Sequence, residues 1–198
     1  MKRRKCEKCG RAQKVCLCSW LTEIDNRHAV LVLRHKSEVK HALNTVEILK
    51  NCLTNITVLD GEVFDEEKCL LPGFIPILLF PGEDAQKLEE LPGQNEKVRY
   101  LFIVIDGTWK KARKIIYLNS FLQKLPKVEL TLDKSRYILR KKAPEGFSTL
   151  EAVAGLLGQL EGDEEKFKPL YKALDQMMQF QIEAMGKEVF ERHFSGRL

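Results

Sequence analysis

No apolar run approaches the roughly 18 residues a membrane span needs, and the opening Met-Lys-Arg-Arg-Lys runs straight into cysteines with no apolar signal region. The expectation is a soluble, cytoplasmic protein. Neither G-x-G-x-x-G nor the P-loop pattern is present, so neither NAD nor ATP is indicated. Internal repeats and low-complexity segments are also lacking, which argues against a solenoid or a disordered chain. A reducing cytosol disfavours disulfides, so the spacing of the six cysteines is read first for metal. With 198 residues and 44% hydrophobic content, the chain is long enough for one well-buried core with a small appendage and too short for two full domains.

The net charge of +5 is modest but unevenly spread. Residues 1–14 carry seven Lys/Arg against one Glu, and residues 110–142 carry eleven against two acidic residues. Acidic stretches near 83–96 and 161–165 offset much of this, so the basic groups form patches suited to a polyanion. A solvated lysine-rich helix face is the plainer alternative.

Strand-like runs over Ala29 to Leu33, Ile56 to Leu59, Pro76 to Pro81, Leu101 to Ile105 and Val128 to Leu132 alternate with helical periods. The latter predict helices over 38–53, an acidic one around 84–91, a basic one after Trp109, one starting at the Ser148-Thr149-Leu150-Glu151 capping box, and a last one over 164–192 with Pro169 in its first turns. This alternation predicts an α/β fold with a mostly parallel sheet flanked by helices.

The run Leu101 to Ile105 is too apolar to alternate and stops at Asp106-Gly107-Thr108-Trp109. Ligands of open α/β sheets sit beyond the carboxyl ends of such central strands. Asp106 lands there. The plain reading makes Asp106 or Thr108 a helix cap and Trp109 core. If the strands are parallel neighbours, this turn, Phe80-Pro81-Gly82 and the loop before Ser148 would line one cleft suited to a nucleoside cofactor.

Cys6-x2-Cys9-x6-Cys16-x-Cys18 offers four thiolates within thirteen residues, which satisfies tetrahedral zinc and leaves no open position for substrate. The site is therefore read as structural, within a small module over residues 1–27 followed by an α/β domain over 28–198. Arg3, Arg4 and neighbouring lysines around the cysteines suit an RNA contact. Cys52 and Cys69, on a helix and in a loop, read as free thiols, and His35 and His41 as structural or hydrogen-bonding groups.

The cysteine pairs, His35-x-x-Glu38 with Asn44-Thr45, Leu79-Phe80-Pro81, Asp106-Gly107-Thr108-Trp109 and Ser148-Thr149-Leu150-Glu151-Ala152 together resemble the DTW-domain family. Five separated motifs match in order over nearly the whole chain. Lys36 stands where the family usually has proline, and Arg11-Ala12 where it often has one; neither difference removes a group with a chemical role.

The resemblance implies a SPOUT-like, knotted α/β fold and a tRNA-uridine aminocarboxypropyltransferase using S-adenosylmethionine. In that activity the uridine imide nitrogen attacks the γ-carbon of the methionine portion and 5′-methylthioadenosine leaves. The resemblance places the cofactor on Leu79, Phe80, Pro81, Gly82, Asp106, Gly107, Thr108, Trp109, Ser148, Thr149, Leu150 and Glu151, with Trp109 or Leu150 packing against it. Asp106 is the expected catalytic carboxylate, its pKa raised by burial beside Trp109. The basic residues Lys110, Lys111, Arg113, Lys114, Arg136, Arg140, Lys141 and Lys142 would hold tRNA phosphates. Ribosomal RNA as substrate, methyl as the group moved, and a non-enzymatic zinc-containing RNA-binding protein stay open as alternatives.

Overall fold

The computed structural model describes residues 4–41, 43–91, 98–132, 135–137 and 146–194. The chain runs β1 (Ala29–His35), α1 (Val46–Cys52), β2 (Ile56–Gly61), α2 (Glu66–Cys69), β3 (Ile75–Leu79), β4 (Ala85–Lys87), β5 (Tyr100–Asp106), α3 (Trp109–Leu118), α4 (Ser120–Lys124), β6 (Lys127–Glu129), α5 (Thr149–Glu161), α6 (Glu164–Met185) and α7 (Lys187–Phe194). All six strands lie in one sheet of order β2-β1-β5-β3-β6-β4, with every pair parallel. The expected parallel α/β architecture is what forms.

The two runs without alternation, β1 and β5, lie side by side inside the sheet, where both of their faces are covered. Val30, Val32 and Val104 pack with Leu49 of α1, Val153 and Leu157 of α5, and Phe167, Leu170 and Leu174 of α6. On the other face Leu31, Leu33, Leu101 and Ile103 meet Ile115 of α3 and Phe121 and Leu122 of α4. Proline is tolerated in β3 for a local reason. The Ile75 N–H bonds Arg99 on the β5 side, so the position of Pro76 turns toward β6, which pairs only from Leu78 onward, and no ladder donor is lost.

Four expectations are corrected. The helix expected over 38–53 is α1, which begins only at Val46. Asn44 ends the preceding loop by donating to the Glu38 carbonyl (2.7 Å) and accepting from the Val46 N–H (2.9 Å), local bonds that outcompete an earlier start. The acidic helix expected at 84–91 is β4 and a short 3-10 turn, because residues 85–87 add to the sheet edge beside β6. Cys69 closes α2 rather than lying in a loop. The last helix is two, broken at Gly186, whose φ of +85° departs from helical geometry. Pro169 lies early within α6.

The N-terminal segment is docked to this core. Leu17 is 1% exposed and belongs to the cluster of α1, α5 and α6, while Ile24 bridges Leu53 in parallel and its N–H bonds the Cys52 carbonyl at 2.7 Å. Among the described residues, no helix is long and apolar enough to cross a membrane.

His28, 1% exposed, accepts from the Tyr100 N–H through Nδ1 at 3.2 Å, and burial lowers its pKa to about 4. The folded state therefore resists a proton that the unfolded chain takes up near pH 6.5. Stability should be full above that pH and fall by roughly 3 kcal/mol as pH drops toward 4. Urea melts of wild type and His28→Phe across pH 7 to 4 check this; the variant should lose most of that slope.

Candidate active site

Because β1, β5 and β3 are parallel neighbours, the turns that follow them emerge at one edge of the sheet. The turn after β5 carries Asp106, half-buried, and the helix opening at α5 lies against it. Thr149 Oγ1 donates to Asp106 Oδ1 at 2.6 Å, which ties two motifs separated by more than forty residues. Burial raises the Asp106 pKa, the Thr149 hydrogen bond partly offsets this, and the nearby Glu38 charge adds to the rise. Trp109 is itself 53% exposed. Its indole meets Phe80 edge to face, with centroids 5.5 Å apart, so the turns after β3 and β5 also touch.

Thr108 is the N-cap of α3, its Oγ1 accepting from the Lys111 N–H at 3.4 Å, as the plain reading has it; Trp109 is not core. Gly107 permits a close approach, because a Cβ there would lie 3.2 Å from Lys111 Cβ and 3.6 Å from His35 Cβ. Pro81 and Gly82 are exposed beyond β3, while Leu79, its last residue, packs into the core.

At α5 the capping box forms in full. Ser148 Oγ accepts from the Glu151 N–H, and the buried Glu151 carboxylate accepts from the Ser148 N–H (2.7 Å), the Arg136 N–H (2.6 Å) and Ser135 Oγ (3.0 and 3.1 Å). That carboxylate shapes the loop leading into α5. Leu150 is fully buried in the core, so of the two side chains expected to pack against the cofactor, Trp109 or Leu150, Trp109 is the exposed one.

Arg34 was missed by sequence reasoning. It is the partner of Asp106 in the β1–β5 register, and its buried guanidinium bonds Asp60 (2.7 and 3.1 Å) and Glu47 (2.7 Å). Burial disfavours its charge, but the two carboxylates outweigh that and hold it firmly protonated. It shares one sequence signal with Asp106, a charge at the end of an apolar run. Glu62 forms a second hub after β2. Lys114 (2.5 Å), Lys36 (3.4 Å) and His35 Nε2 (3.0 Å) converge on it, and the Lys114 bond followed by Lys36 holds its pKa down to about 2. His35 thus has the hydrogen-bonding role expected of it.

The basic residues do not form one patch. Lys111 pairs with Glu38 at 2.6 Å and Lys114 with Glu62, whereas exposed Lys110 and Arg113 have no polar partner among the described residues. Arg136 lies on the α6 side of the sheet, 3.7 Å from Asp175 and with its guanidinium 5.1 Å from the centre of the Tyr171 ring. Arg4 is exposed at the start of the cysteine segment. Arg3, Arg140, Lys141 and Lys142 lie outside the described residues.

The four Sγ atoms of Cys6, Cys9, Cys16 and Cys18 lie within 4.8 Å of one another, with Cys6 to Cys18 at 3.5 Å and Cys9 to Cys16 at 3.7 Å. Zn–S bonds of about 2.3 Å place sulfurs at tetrahedral corners roughly 3.8 Å apart, so the cluster fits that ion. A backbone hydrogen bond from Cys9 and the contact to Cys18 hold the Cys6 pKa down to about 6, while that same contact pushes Cys18 up to about 12, so the sulfurs share protons. Beside the cluster, Arg11 reaches Met177 Sδ (2.9 Å) and the Asn44 carbonyl (3.5 Å), which sets the segment against the loop bearing Glu38. Burial raises the pKa of Cys52 and Cys69, keeping both as thiols.

The DTW domain family model matches residues 3–182. The chain belongs to the DTW-domain family. Among its relatives, tRNA-uridine aminocarboxypropyltransferase 2 of Macaca fascicularis is 32% identical over 195 residues, covering 92% of this chain and 65% of that protein. The chain therefore spans less than two thirds of that relative's length. The Drosophila melanogaster protein of the same name is 31% identical, covering 98% of this chain and 81% of its own. The Arabidopsis thaliana tRNA-uridine aminocarboxypropyltransferase A is 28% identical, with 91% and 81% covered. No solved structure matches the chain. In this DTW domain the D-G-T-W turn and the opening of S-T-L-E-A meet through Asp106 and Thr149.

Proposed function

We propose that this chain transfers the 3-amino-3-carboxypropyl group of S-adenosylmethionine to the imide nitrogen of a tRNA uridine, releasing 5′-methylthioadenosine. The observation that carries the reading is the convergence of three turns: Phe80 touches Trp109, and Thr149 bonds Asp106. The relatives' names point the same way. S-adenosylmethionine supplies a γ-carbon activated by its sulfonium. The residues present suit such a donor. Asp106 and Glu38 put negative charge near one another for a sulfonium and an ammonium, and Trp109 exposes an apolar face.

Asp106 accepts the imide proton or orients the nitrogen that loses it, and its raised pKa makes it a better base than an ordinary aspartate. Thr149 holds one carboxylate oxygen, which leaves Oδ2 to face the substrate. Asn44 and the Lys111–Glu38 pair hold the 35–45 loop beside Asp106, so that water is partly kept out. The proposal includes a cytoplasmic location, a structural zinc on the four cysteines, a module over 1–27 ahead of the catalytic domain over 28–198, and a SPOUT-like knotted arrangement. The wholly parallel sheet supports the last of these together with the resemblance.

Incubation with unmodified tRNA and donor labelled in the aminocarboxypropyl group should yield labelled uridine and methylthioadenosine. Release of S-adenosylhomocysteine would instead mean methyl transfer, and absence of any heat of donor binding would mean an RNA-binding module. Among the α3 cations the pairing pattern sets an order. Arg113→Ala and Lys110→Ala should each weaken tRNA binding and lower the log–log salt slope by about one. Lys114→Ala, whose ammonium is already committed to Glu62, should lower it less. Salt titrations of binding rank the three.

A further inference from the structure

Helix α3 turns two different sides outward. Lys111 and Lys114 lean to Glu38 and Glu62, beside the loops that follow β1 and β2. Trp109, Arg113 and Tyr117, spaced by four, form a separate ridge on the helix surface. Tyr117 is 80% exposed, while Tyr100 is buried and Tyr137 and Tyr171 are partly so. Its ring meets no other ring among the described residues. The helix end beneath it is nevertheless held, because Gln123 Nε2 donates to the carbonyls of Ile116 and Tyr117, at 3.2 Å each. An aromatic ring standing free on a held backbone loses little entropy on binding, which suits it to stacking.

An open groove of about 560 Å³ runs beside this ridge, lined by Phe80, Pro81, Gly82, Arg113, Tyr117 and Lys127 among others. That volume falls within the roughly 300–1,000 Å³ typical of small-molecule clefts. Phe80 also touches Trp109, so the groove adjoins the turn that follows β5. Two exposed rings flanking a guanidinium with no polar partner among the described residues match the flat face and the phosphate of an unstacked nucleotide. Paired bases in a duplex show no free face to such rings. The exposed Arg113 guanidinium, which has no polar partner among the described residues, makes the partner anionic at this point.

We infer that this ridge and groove take up an unpaired nucleotide of the RNA substrate, its base stacked on Tyr117 and its phosphate on Arg113. Tyr117 lies about 12 Å from Trp109 along the helix axis, so this nucleotide is a near neighbour of the reacting uridine and not the uridine itself. The inference rests on the RNA-modifying reading and adds to it a preference for a substrate region that is single-stranded beside the target.

The test uses the full chain, fluorescence anisotropy, a labelled oligouridylate of about ten nucleotides and an RNA duplex of similar length. Tyr117→Ala should weaken oligouridylate binding on the order of ten-fold, Tyr117→Phe by less than about two-fold, and neither should shift duplex binding by as much. Unchanged oligouridylate binding by Tyr117→Ala, equal losses on both RNAs, or a Phe variant as weak as the Ala variant would each overturn the inference. Equal thermal midpoints for wild type and variants exclude a folding defect as the cause. Methylthioadenosine release from unmodified tRNA by the wild-type chain reports on the transferase reading separately. An inert wild type whose oligouridylate binding depends on Tyr117 keeps this inference and discards that reading, and an active wild type with binding indifferent to Tyr117 does the reverse.

Discussion

Asp106→Asn should reduce aminocarboxypropyl transfer by about 10²- to 10⁴-fold, the range for loss of a general base, with tRNA and donor binding largely kept. The substitution keeps the volume and an oxygen for the Thr149 hydroxyl to bond, so the two turns stay joined. Stability should be unchanged or higher. Burial raises the Asp106 pKa above its unfolded value, so its favourable contribution to folding is present at low pH and is lost as pH rises through the folded pKa. At neutral pH the ionised carboxylate therefore opposes folding, and the neutral amide removes that opposition. A functional residue that costs stability is a common trade-off. Wild-type activity should likewise fall on acidification at a pH above the ordinary aspartate range, and that limb should be absent from the residual rate of the variant. Single-turnover rates over pH together with thermal melts measure both effects; near-normal transfer by Asp106→Asn would remove Asp106 from the chemistry.

Removing metal should have the second-largest effect. Residues 4–20 hold only two short 3-10 turns and a single bridge between Lys5 and Ala12, too little to stay ordered alone. Four sulfur–metal bonds would supply the missing order. Once they are lost, Leu17 leaves the core, and a vacated leucine site costs about 2–5 kcal/mol. For a chain of this size that corresponds to a fall in Tm of roughly 4–20 °C. Chelation, and separately Cys9→Ser with Cys16→Ser, should produce that fall, and native mass spectrometry should find one zinc per untreated chain. A chain without metal whose Tm ignores both treatments would refute the structural site. Transfer should also suffer, since Arg11 links the segment to Asn44 and hence to the loop beside Asp106.

Much of the site was legible because its chemistry sits at breaks in simple patterns. Apolar runs ending at a carboxylate, four cysteines within thirteen residues, and serine three positions before glutamate are local signals, and each forms as expected. Arg34 ends the Ala29–Leu33 run in the same way and was there to be noticed. The misjudged elements were those in which local pattern and tertiary contact compete. Residues 84–91 have helical polarity, but an open sheet edge beside β6 claimed 85–87. The stripe over 38–53 is helical in period, yet Asn44 spends its amide on the loop and delays the helix to Val46.

Periodicity and composition alone determined the parallel α/β class, the buried central strands and the cysteine cluster, because burial and metal ligation leave marks at short range along a chain. Only the tertiary structure decided which cations on α3 are taken by Glu38 and Glu62 and which have no polar partner among the described residues, since those partners come from loops far away in sequence. It also placed Thr149 on Asp106 and turned Leu150 and the Glu151 carboxylate inward. Adjacent positions on a helix point in different directions, and only packing determines which of them faces the site.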